Sequence, residues 1–121
     1  MDTHTITVRT LDAGTVDVAE PAWCLGEHPD DGYLADVVHD GVQTPLTFRG
    51  YEALTAGLTC SPYSEVSERG LQAAVEMGDG WLALDPAGLD SLASALVEHA
   101  SELRALARQL SALLAAGEVA E

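Results

Sequence analysis

The sequence contains no lysine. Its five basic side chains are all arginines, whereas it has 20 Asp and Glu carboxylates. The formal net charge of the 121-residue chain is therefore -15 at pH 7. Such a surface repels the phosphates of nucleic acids and anionic membranes, so we expect no direct nucleic-acid binding and no membrane partner. The acidity favours solubility, and an alternative hypothesis is an acidic decoy, or DNA mimic, that occupies a basic partner.

Aromatic residues are also scarce, at 5% of the chain, although hydrophobic residues make up 47%. The core must therefore consist mainly of Leu, Val and Ala, and we expect a metal site to help stabilise it. No apolar run approaches the roughly 20 residues that span a bilayer, and the N-terminus lacks the pattern of a signal peptide. We expect a cytoplasmic protein, in which the two cysteines favour a metal or free thiols over a disulfide.

The first 85 residues show the alternation of apolar and polar side chains that is typical of half-buried strands. Strands are predicted over 3–11 and 15–19, joined as a hairpin by the turn at 12–14, with Val16 and Val18 inward. Further strands are predicted over 32–39, 43–49, 71–78 and 81–84.

Pro45 places the 43–49 strand near a sheet edge or at a strand start, with Leu46 and Phe48 inward. Residues 50–70 give no clear pattern. They fit a short helical turn or an irregular strand, followed by a loop.

A long helix is predicted from Pro86 to about residue 116. Asp85 is a good N-cap, proline is tolerated at the first helical position, and Gly117 is a typical stop. His99 interrupts a seam of leucines at 3-4 spacing, which comprises Leu89, Leu92, Leu96, Leu103, Leu106, Leu110 and Leu113. We expect the first half of the helix to pack on the sheet and the second half to form a homodimer.

Together these patterns predict a single α+β domain over residues 1–121. It comprises an antiparallel β-sheet of five or six strands in the β-rich part, 1–85, and one long C-terminal α-helix over 86–116.

The chemistry-bearing part of the chain is the pair Cys24 and His28, followed by His39. Thiolate and imidazole are ligands that zinc favours, and zinc takes four ligands. We therefore predict a zinc site at Cys24, His28 and His39. The fourth ligand stays open among Glu20, Cys60, Asp30, Asp31 and water. The alternative is a buried cysteine with two surface histidines.

Residues 20–28, Glu-Pro-Ala-Trp-Cys-Leu-Gly-Glu-His, with the later His39, resemble a family of small uncharacterised actinobacterial proteins, the domain of unknown function 6907. The resemblance implies a Pro-x-Trp-Cys-x3-His motif, a β-rich middle and a C-terminal helix that opens with Asp-Pro. It also implies that many members carry a cysteine where this chain has Glu20, which makes a Cys2His2 set. The family brings no known activity.

The hypothesis that fits these observations best is a non-enzymatic interaction or regulatory protein with a small structural zinc site and a protein partner. A second hypothesis is a zinc-dependent hydrolase that activates a water held with Cys24, His28 and His39. We see no second group of residues that supports catalysis.

Overall fold

The computed structural model describes residues 3–66 and 68–117 and shows an α+β arrangement, as predicted. The elements are β1 (Thr3–Thr10), β2 (Gly14–Pro21), a 3-10 helix (Leu34–Asp36), β3 (His39–Asp40), β4 (Thr44–Phe48), β5 (Tyr51–Cys60), β6 (Gln72–Met77), β7 (Gly80–Leu84) and α1 (Pro86–Ala115). The chain divides into two compact units, one ending at Pro86 and the other beginning at Ala87. The predicted single domain therefore stays a prediction.

The predicted N-terminal hairpin is confirmed: β1 and β2 form a two-stranded antiparallel sheet. Its turn is fixed by Gly14, which adopts a positive φ of 67°. The hydroxyl of Thr10 reinforces the turn by donating to the Gly14 carbonyl at 2.7 Å. Val18 is buried and Val16 packs against the same cluster, as the alternation predicts.

The larger sheet has five strands, in the order β3-β5-β6-β7, with β4 also paired to β5. All of its strand pairs are antiparallel. The 71–78 and 81–84 predictions are confirmed as the hairpin of β6 and β7. Among the described strands β4 pairs with β5 alone, so the prediction that Pro45 lies on an edge strand is also confirmed. The expectation that Leu46 and Phe48 point inward is wrong, since they are 48% and 67% exposed.

The predicted strand over 32–39 is largely wrong. A 3-10 helix occupies its centre, and only His39 and Asp40 pair with β5. The Asp12 carboxylate accepts the Leu34 backbone N–H at 3.0 Å, and the Val37 N–H bonds the Leu34 carbonyl. These partners take up backbone groups at the centre of the segment, which are then not available to form a ladder.

The core of the N-terminal unit is small and aliphatic, as the scarcity of aromatics predicts. Val8, Val18 and Val37 form a buried cluster, against which Ile6, Val16, Leu34 and Tyr63 pack. On the larger sheet, Ala73 and Val75 of β6 are buried. Small side chains remove little apolar area from water, so this core stabilises the fold only modestly.

Most of α1 belongs to the C-terminal unit, and the helix begins at Pro86, as predicted. It ends one residue before the predicted boundary, and Gly117 follows with a positive φ of 87°. The helix buries none of its residues, and the seam leucines Leu103 and Leu106 are 54% and 58% exposed. None of the described helices is long and apolar enough to cross a membrane.

Candidate metal centre

The site begins with a carboxylate on the inner face of the N-terminal hairpin. Glu20 is two and four residues from Val18 and Val16, so the period of two places it on their buried face of β2. Only 3% of Glu20 is exposed. A buried carboxylate needs compensating partners, because removing an ionised group from water is costly.

The loop after β2 brings a thiol to this carboxylate. Cys24 donates its backbone N–H to the Pro21 carbonyl at 3.1 Å, which closes a turn. Gly26 adopts a positive φ of 82°, and its N–H donates to the Cys24 sulfur at 3.4 Å. Leu25 donates its N–H to the Asp40 carbonyl at 2.9 Å, so the loop is anchored on β3.

His39 reaches the same point from β3. It is 2% exposed and lies opposite Cys60 in the ladder with β5. The His28 ring meets the His39 ring edge-on, with centroids 5.3 Å apart at 89°. Trp23 also makes an edge contact with His39, with centroids 6.4 Å apart. Trp23 therefore lies against the cluster.

The four side chains converge on one point. One ligand atom each from Glu20, Cys24, His28 and His39 can be chosen so that all lie within 4.8 Å of one another. His28 Nε2 is 3.7 Å from the Cys24 sulfur and 3.0 Å from Glu20 Oε1. A tetrahedral zinc ion, with Zn–S of about 2.3 Å and Zn–N of about 2.0–2.1 Å, holds sulfur and nitrogen about 3.5 Å apart. The cluster therefore has the residue types and the spacing to hold a metal ion.

One ring nitrogen in the cluster lacks a conventional partner. Nδ1 of His39 lies 2.7 Å from Glu20 Oε1, yet within the described chain this buried atom makes no hydrogen bond of acceptable geometry. Buried polar atoms are nearly always satisfied, because leaving one unpaired costs about 1–3 kcal/mol. A metal ion bound to this nitrogen would remove that cost.

The pKa values of the Glu20 carboxyl and the Cys24 thiol are shifted in opposite directions. Burial raises the pKa of the Glu20 carboxyl, but hydrogen bonds from His28 and Cys24 oppose it, and the net pKa is below the usual value. Burial raises the pKa of the Cys24 thiol, and the nearby Glu20 carboxylate adds to this rise. Without a metal, Glu20 is therefore ionised at neutral pH and Cys24 is a protonated thiol.

The family described as Domain of unknown function (DUF6907) matches residues 5–112. The chain belongs to this family. The match spans most of the hairpin, all four cluster residues and most of α1, which confirms the family suggested by the Pro-x-Trp-Cys-x3-His run. No curated protein and no solved structure matches the chain.

In this family member the structure places the three predicted ligands together, and Glu20 beside them. Sequence reasoning left Glu20 as one of several candidates, although its place in the alternation of β2 was a usable signal. Cys60 lies outside the cluster: its thiol donates to the Arg69 carbonyl at 3.2 Å. Asp30 and Asp31 are exposed and also lie outside the cluster.

The two remaining histidines are exposed. His4 lies opposite Glu20 in the hairpin ladder. His99 lies 3.2 Å from Glu102 on α1, with its side chain 63% exposed.

Proposed function

We propose that this chain is a non-enzymatic interaction protein whose N-terminal unit is held together by one structural zinc ion. His28 through Nε2, His39 through Nδ1, the Cys24 thiolate and the Glu20 carboxylate supply the four ligands. The observation that carries the proposal is the convergence of these four side chains, with ligand atoms within 4.8 Å of one another.

Burial and ligand count favour a structural site over a catalytic one. Structural zinc sites are closed by four protein ligands, whereas catalytic sites keep one position open for water. The side chains of His28, His39 and Glu20 are 8%, 3% and 4% exposed. A substrate would have little access to an ion among them, so hydrolysis is the weaker hypothesis.

The proposed ion joins parts of the fold that share little else. Glu20 belongs to the two-stranded sheet, His39 to the five-stranded sheet, and Cys24 and His28 to the loop between them. Among the described strands no ladder joins the two sheets, so a shared ion would fix their relation. A reducing compartment, which we propose to be the cytoplasm, would keep Cys24 available as a ligand.

We also propose that α1 mediates a homodimer through the second half of its leucine seam. In the single chain the four leucines of that half are exposed: Leu103, Leu106, Leu110 and Leu113, at 54%, 58%, 56% and 44%. Leucines at 3-4 spacing over four heptads are typical of a helix that packs against a partner helix.

Purification without chelator is expected to yield about one zinc per chain, because the cluster offers one complete set of four ligands. Elemental analysis measures this directly. Cys24→Ser should remove most of the zinc, and Cys60→Ser, the matched change at the other thiol, should retain it. A metal-free native chain, or equal zinc in both variants, would exclude the proposed site.

Zinc binding near pH 7 is expected to release about one proton from Cys24, because burial raises the pKa of its thiol and the thiolate is the ligand. Glu20 should release none, since the pKa of its carboxyl is lowered. Binding that expels a proton weakens as pH falls, by about tenfold per pH unit for each proton.

Titration calorimetry in two buffers of different ionisation enthalpy measures the number of protons released. Cys24→Ser should reduce that number by about one. A wild-type protein that releases no protons would show that the thiolate is not a ligand.

A further inference from the structure

One edge strand of the five-stranded sheet, β7, lacks the sequence features that usually protect an edge strand. β7, Gly-Trp-Leu-Ala-Leu, ends the strand order, and β6 is its only neighbour among the described strands. Trp81 and Leu82 are 61% and 49% exposed. Natural edge strands usually carry a charge, a proline or a bulge that prevents pairing with another chain. β7 carries no charge and no proline, and its register with β6 is uninterrupted.

The register identifies which backbone groups of β7 face outward. Met77 and Gly80 are paired across the two-residue turn of Gly78 and Asp79. In such hairpins the closing pair is hydrogen-bonded, and the pairs then alternate along the ladder. Trp81 and Ala83 therefore fall in pairs that do not bond β6, and their N–H and C=O groups point away from the sheet.

A groove lies beside this edge on the face that carries the Trp81 and Ala83 side chains. Its volume is about 390 Å³, and its lining includes Trp81, Ala83, Glu68 and Glu76. Neither carboxylate forms an ion pair within the described part of the chain. An exposed tryptophan and two unpaired carboxylates attract an ammonium or guanidinium group.

The opposite face of β7 favours apolar side chains on an added strand. Leu82 and Leu84 lie on that face, in register with Val75 and Ala73 of β6. A strand added to β7 would therefore gain from apolar residues on the Leu82 face and basic residues on the Trp81 face. Because successive side chains of a strand alternate between faces, a basic–apolar alternation meets both needs.

A second copy of this chain fits the edge poorly. Antiparallel self-pairing centred on Leu82 would place Asp79 of each copy opposite Asp85 of the other. Like charges directly opposite one another destabilise a ladder.

We infer that β7 is a docking edge for an extended segment of a basic partner protein, which adds a strand to the sheet and lays a Lys or Arg side chain against Trp81 between Glu68 and Glu76. This is strand addition of the kind that gives affinity through main-chain bonds and specificity through alternate side chains. The inference rests on the proposed role as an interaction protein and is independent of the metal.

The test uses the full-length, zinc-loaded chain and a blocked nine-residue peptide of alternating Lys and Val. Calorimetry measures its affinity, and amide NMR shifts locate it. We expect binding that weakens with salt, with the largest shifts at Trp81 and Ala83. A peptide of the same composition with its five Lys and four Val in two blocks should bind at least about tenfold more weakly, because it lacks the alternation.

Two changes to the protein separate strand addition from general attraction. Ala83→Pro removes an outward N–H, which edge strands tolerate, and should weaken binding by about two- to tenfold, the worth of one hydrogen bond. Glu68→Gln with Glu76→Gln should weaken it by about tenfold or more, because both carboxylates lose their charge. The matched pair Glu27→Gln with Glu52→Gln, which does not line the groove, should have little effect.

Equal binding of the two peptides, unchanged affinity in Ala83→Pro, or equal losses in the two glutamine pairs would overturn the inference. So would the absence of binding at millimolar peptide. Zinc content and melting temperature are measured on each variant, so loss of the metal or of the fold is seen separately from loss of docking.

Discussion

Removal of the metal is expected to lower the melting temperature by about 10 °C or more, the largest effect that we predict. The four ligands come from β2, the following loop and β3, and they are not preformed in the unfolded chain. The free energy of zinc binding therefore adds to the free energy of unfolding. The small aliphatic core supplies little else to join the two sheets.

His39→Ala tests this contribution of zinc to stability and leaves Cys24 and His28 of the loop unchanged. It should reproduce the effect of a strong chelator, and chelator should shift its melting curve little further. Cys60→Ser should melt near the native temperature, since Cys60 lies outside the cluster. Calorimetric melting with and without chelator measures both. A native melting curve that chelator leaves unmoved would eliminate the structural zinc.

Glu20→Cys is expected to strengthen zinc binding. It introduces the Cys2His2 set that the family resemblance implies, and thiolate is a stronger zinc ligand than carboxylate. We expect tighter zinc retention against a competing chelator. A variant that retains zinc no better than the native chain would argue that Glu20 does not face the ion.

Leu106→Glu is expected to convert a dimer to a monomer and halve the molar mass measured by light scattering. Leu106 is 58% exposed and lies in the central part of the leucine seam. A buried charge without a partner at a helix–helix interface costs several kcal/mol. We expect this cost to exceed the free energy of association through the leucine seam.

Val97→Glu is the matched control, because Val97 is on the same helix, is 72% exposed and lies off the seam. It should remain a dimer. A native chain that is monomeric at high micromolar concentration contradicts the proposal, as does equal dissociation of the two variants. Unfolding of Leu106→Glu in place of clean dissociation would indicate that the seam packs within one chain.

The longest strand shows why the sequence predicted the larger sheet incompletely. β5 spans Tyr51–Cys60, where no clear element was predicted. The alternation of Leu54, Ala56 and Leu58 with Thr55 and Thr59 is present, but Gly57 and the neighbouring alanines weaken it. β5 is stabilised by pairing with β3, β4 and β6. A strand whose stability comes from its neighbours leaves only a faint local signal.

The sequence by itself determined the elements whose hydrogen bonds are local. The hairpin at Gly14 follows from alternation and a glycine turn, and the helix from Pro86 follows from its cap and leucine spacing. Cys24 and His28 could be predicted as a pair of ligands because they lie four residues apart in one loop. Only the tertiary structure decided that Glu20 joins them and that Cys60 does not. The alternation of β2 places Glu20 on the buried face, but which side chains meet there depends on how the two sheets, which share no ladder among the described strands, come together around His39.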